Sequence, residues 1–115
     1  MSKEKYYVNY YNESISKKVK KVIEKNKLQK EFDVAVNNLK LNPEYGNKIQ
    51  KSLWPEKYKK IKNIDNLWRY EISRRNPGWR MIYTIVKEGS KDKVKILSVI
   101  LEVLNHHRYD RMFGY

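Results

Sequence analysis

The run Val94 to Leu104, VKILSVILEVL, constrains the fold more than any other part of the chain. Aliphatic and β-branched residues follow one another with little polar interruption, which suits a central strand of a sheet covered on both faces. A strand of that kind needs neighbours, and the preceding residues supply them. From Asn66 to Arg75 the chain alternates, with Trp68, Tyr70 and Ile72 on one face and Arg69, Glu71 and Ser73 on the other. Asn76-Pro77-Gly78 signals a turn, and Trp79 to Val86 reads as a second strand, so the two form a hairpin. Gly89-Ser90-Lys91-Asp92 is the next turn and leads into the aliphatic run. The C-terminal half, 66–115, is therefore expected to be an antiparallel three-strand meander followed by a short terminal segment.

The N-terminal half has a different period. Tyr6 to Tyr11, YYVNYY, suits a half-buried strand, so 1–11 is expected to hold the first one. Asn12 or Ser14 can cap a helix in which Ile15, Val19, Val22 and Ile23 form an apolar stripe opposite Lys17, Lys18, Lys20 and Lys21. A second stripe, Leu28, Phe32, Ala35, Val36 and Leu39, is out of phase with the first, which predicts a bend near Asn26 and a helical hairpin over 12–42. Asn42-Pro43 ends it, because the residue before proline is biased out of the helical region. Residues 43–65, punctuated by Pro43, Gly46 and Pro55 and dense in lysine from Lys57 to Lys62, read as an irregular basic connector. The sum is an α+β fold: a first strand, a two-helix hairpin and a three-strand meander packed on the helices. With one sheet face under the helices, the other is expected to be concave and open, and the charged alternate positions of the hairpin point into it.

Charge decides what such a face could meet. The 115 residues carry 26 Lys and Arg against 13 Asp and Glu, a formal charge of +13, which attracts polyanions and nucleic acid first among them. The length suits one domain, 1–115. No apolar stretch approaches the ~20 residues of a spanning helix, and no signal peptide is visible, so a cytoplasmic location without membrane contact is expected. A basic module on anionic membrane would rest on the Lys17–Lys21 face alone and leave the aromatic β half without a purpose. Without cysteine there is no disulfide framework or thiolate zinc site, and with two histidines neither a metal nor another cofactor is expected.

Both histidines, His106 and His107, stand side by side at the end of the last strand, in LNHHRYDRMFGY. An imidazole moves protons near neutral pH and a guanidinium offers fixed donors to a phosphate, a combination suited to phosphodiester cleavage. Asn66-Leu67-Trp68-Arg69-Tyr70, Gly78-Trp79-Arg80-Met81-Ile82-Tyr83 and the closing His106-x-x-Tyr109 also give the chain a family likeness, since it resembles the RelE/ParE superfamily of toxins from toxin-antitoxin modules over nearly its whole length. The resemblance implies a RelE-like messenger RNA interferase, a ribosome-dependent endoribonuclease in which the RNA's own 2′-hydroxyl attacks the adjacent phosphate without a metal. It implies that Arg80 contacts the scissile phosphate, that Arg69 is a further basic position, and that His106 and Tyr109 include the general acid or base. Glu71 stands where some members carry lysine and is a candidate base; Glu56 is its rival. Arg74, Arg75, Lys59, Lys60, Lys62, His107 and Arg108 are expected to contact the RNA backbone; Trp54, Tyr58 and Trp79 are candidates to stack on bases, burial being the more frequent outcome for Trp. The implied partner is a cognate antitoxin with an acidic or amphipathic segment, forming a toxin-antitoxin hetero-oligomer. The ParE branch shares the fold but inhibits gyrase without RNA chemistry, so a non-catalytic protein that binds gyrase, or only an antitoxin, is the alternative.

Overall fold

In the computed structural model of the chain, which describes residues 5–74, 78–90 and 92–114, the aliphatic run becomes β5 (Lys93–Asn105). Arg75, the Asn76-Pro77 pair and Lys91 lie outside the described residues. β5 pairs in parallel with β1 (Lys5–Tyr10), from Lys5 opposite Lys95 to Tyr10 opposite Ile100, and antiparallel with β4 (Trp79–Ser90). β4 pairs with β3 (Trp68–Ser73), and β3 with the two-residue β2 (Asn47–Lys48), giving the order β1-β5-β4-β3-β2. The expected meander is thus β3-β4-β5, set in a mixed five-strand sheet in which β4, not β5, is the middle strand. β5 is nevertheless flanked on both sides and covered on both faces.

The helical hairpin is α1 (Glu13–Lys25) and α2 (Gln29–Leu41). Asn12 is the cap: its side-chain oxygen accepts from the Ile15 N–H at 2.8 Å, satisfying a donor that the first helical turn leaves open. Val19, Ile23, Phe32, Ala35 and Leu39 face the sheet and meet Tyr70, Ile72, Met81, Tyr83 and Ile100 in one core. The bend near Asn26 has a specific chemistry. Lys27 N–H donates to Glu24 O at 3.3 Å and Leu28 N–H to Ile23 O at 2.9 Å, which is a Schellman ending. Its left-handed position, φ 53°, is held by Lys27 where glycine carries no steric penalty. Lys27→Gly is therefore expected to raise stability by about 0.5–1 kcal/mol in urea denaturation, the relief of strain exceeding the extra freedom of the unfolded chain. A fall instead would show that the lysine side chain contributes more than its backbone costs.

The second face departs from expectation. The connector is not irregular: two 3-10 turns, Pro43–Tyr45 and Lys51–Leu53, together with β2 and α3 (Glu56–Lys59), fold back across the sheet. The short terminal segment, for which the sequence predicts no particular element, is a helix, α4 (His106–Phe113). Ile49, Trp54 and Tyr58 from the connector and Tyr109 and Phe113 from α4 bury Leu67, Ile82, Leu101 and Leu104, a second core where an open concave face was expected. The physical reason lies in β5. Its register against β4 jumps between Glu102 and Ile100, so Leu101 is an extra residue that turns into this second core while Ile100 and Val103 stay in the first.

Tyr83 closes the packing from the middle of the sheet. Its hydroxyl, fully buried, donates to Pro43 O at 2.8 Å and accepts from Gly46 N–H at 3.1 Å, pinning the connector to β4. Burial pushes the phenol pKa far above its ordinary value, against the opposing pull of the Gly46 N–H, with the Glu44 charge adding to the rise. Among the described residues no helix is long and apolar enough to cross a membrane.

Candidate functional site

What stays open is the end of the second face where the β3-β4 hairpin meets α4. The hairpin register sets Glu71 opposite Arg80, and Arg80 lies opposite Leu104 on β5, two residues before His106. Asn105 caps α4 by accepting from Arg108 N–H at 2.8 Å, and His106 N–H donates to Gly78 O at 3.0 Å, so the first residue of the helix is tied to the end of the hairpin turn. A cleft of about 290 Å3 results, with Glu71, Arg74, Trp79, Arg80 and His106 on its walls.

Arg80 is the centre of the cluster, with only 16 % of its side chain exposed. One terminal nitrogen lies 2.6 Å from His106 Nδ1 and the other 3.5 Å from a Glu71 oxygen. The guanidinium carbon sits 4.6 Å from the centre of the Tyr109 ring, a cation-π distance. Among the described residues the buried Nε has no hydrogen-bond partner. Tyr109 is itself buried, and its hydroxyl accepts from Arg69 at 2.9 Å. It therefore lies beneath the guanidinium as a platform, with Arg69 fixing its far end. Glu71 also accepts from Arg74 at 3.0 Å, and Arg74 is almost fully exposed. His106 Nε2 lies 3.0 Å from an Asp110 carboxylate oxygen.

The four residues singled out for chemistry, Arg80, His106, Tyr109 and Glu71, thus meet in one place, joined by Arg69 and Arg74. The rest divide. His107 is exposed, its ring 6.0 Å from that of His106. Lys59, Lys60 and Lys62 are exposed on and just beyond α3, away from the cleft walls, and Lys59 reaches Glu56 at 3.4 Å. Arg108 turns away, pairing with Glu102 at 3.4 Å. Trp54 and Tyr58 are core, and of the three aromatic candidates Trp79 alone is half-buried.

Two carboxylates escaped the sequence reading. Glu102 takes Lys57 and the Tyr58 hydroxyl, each at 2.5 Å, in addition to Arg108. Burial first, and then the Glu102 charge, push the Tyr58 pKa far upward. Asp110 is the other. Its spacing of four from His106 signals a contact only on a helix, and the segment carried no helical stripe long enough to show one.

Chemically, the cleft offers a carboxylate that can take a proton, a guanidinium that can hold an anion and an imidazole that can give a proton, the outer two both touching the middle one. Among the described residues no three His, Asp or Glu side chains gather as a metal site. Comparison with protein-family models, curated proteins and solved structures gives no match.

Proposed function

We propose that the chain is the toxin of a type II toxin-antitoxin system, an endoribonuclease that cleaves messenger RNA on the ribosome by metal-independent 2′-hydroxyl attack. The observation that carries this reading is the position of Arg80, held on the Tyr109 ring with Glu71 on one side, His106 on the other and its Nε donor unpartnered among the described residues. A phosphate entering the cleft would supply the missing acceptor. Glu71 would then take the proton of the 2′-hydroxyl, whose oxygen bonds to phosphorus. Arg80 would meet the charge growing on the non-bridging oxygens, and His106 would protonate the departing 5′-oxygen. Tyr109 and Arg69 act through Arg80 and touch no substrate. Arg74 and the connector lysines supply backbone contacts that raise affinity without choosing sequence.

A silencing partner has a surface of its own. β1 ends opposite Ile100 while β5 runs on to Asn105, and past that end a groove of about 610 Å3 opens between α1 and α3. Its floor includes Val19, Tyr58 and Leu101, and Lys18 and Lys21 stand on its rim. Apolar floor and cationic rim suit the acidic, amphipathic segment expected of an antitoxin.

The test uses ribosomes carrying a short synthetic messenger. The protein should cut it to give a 2′,3′-cyclic phosphate end, and a single 2′-deoxy nucleotide at the cleavage site should abolish the cut. Cleavage of the deoxy substrate would eliminate the mechanism. Binding to gyrase without any cleavage would put the non-catalytic alternative in its place.

A further inference from the structure

We infer that Asp110 is a positioning residue of the proposed reaction, holding His106 by Nε2–H so that Nδ1 is the atom that delivers the proton. The inference rests on the cleavage reading, but its structural half stands apart from it. A guanidinium has donors and no acceptor. With Arg80 2.6 Å from Nδ1, that nitrogen must present its lone pair, and the ring proton is left on Nε2. There the Asp110 carboxylate lies 3.0 Å away, within ion-pair reach of that hydrogen. One face of the ring is thus turned to Arg80 and the cleft, and the other is fixed by a carboxylate one helical turn on. A carboxylate behind an imidazole selects its tautomer and offsets the charge of the imidazolium, as it does in hydrolytic triads.

The proton balance agrees with this assignment. When Arg80 turns its donors to an incoming phosphate, Nδ1 is released and takes a proton from solvent, giving an imidazolium held through Nε2–H by Asp110. The 2′-oxygen bonds to phosphorus and its proton passes to Glu71. The bond from phosphorus to the 5′-oxygen breaks with its electron pair going to oxygen, which takes the Nδ1 proton. The ring is left neutral with hydrogen on Nε2, the form that the Arg80 and Asp110 contacts select. Among the described residues the other ionisable groups around the ring include Arg80 from β4, Glu71 from β3 through Arg80, Arg74 on the cleft wall and His107 on α4. Of these and Asp110, only Asp110 lies within ion-pair reach of Nε2.

Two measurements test it. In nitrogen-15 spectra of the intact protein, neutral His106 should carry its hydrogen on Nε2, and in an Arg80→Ala background, where the guanidinium no longer selects the tautomer, Asp110→Ala should shift the ring toward a mixture of tautomers. An Nδ1–H tautomer in the wild type, or no change in the variant, would overturn the inference whether or not the protein cuts RNA. In single-turnover cleavage, Asp110→Asn and Asp110→Ala should each be slower by on the order of tenfold or more on ordinary messenger. On a messenger whose scissile 5′-oxygen is replaced by sulfur, a leaving group that needs no proton, both variants should approach the wild-type rate. An equal deficit on both substrates would reduce Asp110 to a structural residue of α4. If the wild type cut neither substrate, the cleavage reading and Nδ1 as proton donor would fall together, and the spectra would still decide whether Asp110 holds the ring.

Discussion

Arg80→Ala is expected to lower single-turnover cleavage of ribosome-bound messenger by on the order of a hundredfold or more, and His106→Ala by a similar factor, with the fold intact in both. The two losses have different origins. Charge that appears on the phosphate oxygens calls for fixed donors, and the departing oxygen calls for a proton; a guanidinium meets the first demand and an imidazole the second. Arg80→Lys should recover little, because a point charge on a flexible stem neither reproduces the planar fork nor lies flat on the Tyr109 ring. Folding should survive the loss of Arg80, since Glu71 keeps Arg74 and Tyr109 keeps Arg69. Wild-type turnover by the Arg80→Ala protein, with its circular dichroism spectrum unchanged, would remove the guanidinium from the chemistry.

Gly46→Ala should have the largest effect on stability. A Cβ there would lie 2.3 Å from the Arg69 carbonyl oxygen and 2.7 Å from the Tyr83 hydroxyl, one of them backbone and the other held in place by Pro43. The carbonyl cannot move without opening the β2-β3 pairing, in which Asn47 lies opposite Arg69, nor the hydroxyl without breaking its bond to Pro43. The expected cost is about 2–3 kcal/mol, the scale of overpacking in a closed interior, read as a lower denaturation midpoint. Tyr83→Phe is the companion, removing the two hydrogen bonds without adding bulk. If Gly46→Ala left the midpoint where it was, the connector would not be pinned at this point.

Periodicity made the frame of the fold legible. The two stripes of the helical hairpin and the alternation Trp68-Tyr70-Ile72 each have a local physical cause, and each appears where expected, whereas Gly89 and Ser90, expected in a turn, are the last residues of β4. The second core was hidden because its parts are scattered and individually ambiguous. Trp54 and Tyr58 sit among lysines, where an aromatic reads as a stacking surface, and only the extra residue at Leu101 shows that the sheet needs cover on that side. Arg80 and His106 were recognisable as residue types suited to a phosphodiester. Their contact was not, because it depends on β4 lying beside β5 in one particular register and on α4 starting at His106. Asp110 shows the same limit, its meaning resting on a helix of eight residues that no stripe announced.

The parallel pairing of β1 with β5 also orders events in time. β4 and β5 are separated by two residues in the sequence and can zip together locally, and β3 is also close to β4 along the chain. β1 has no such neighbour: its partner strand lies beyond both helices, the connector and the rest of the meander, so the loop it closes is nearly the length of the domain. The entropy of that closure is recovered only once the edge of β5 is in place to receive it. The strand made first is the one that docks late, and until then YYVNYY travels as an unpaired aromatic segment, the part of the folding chain most exposed to pairing with another copy.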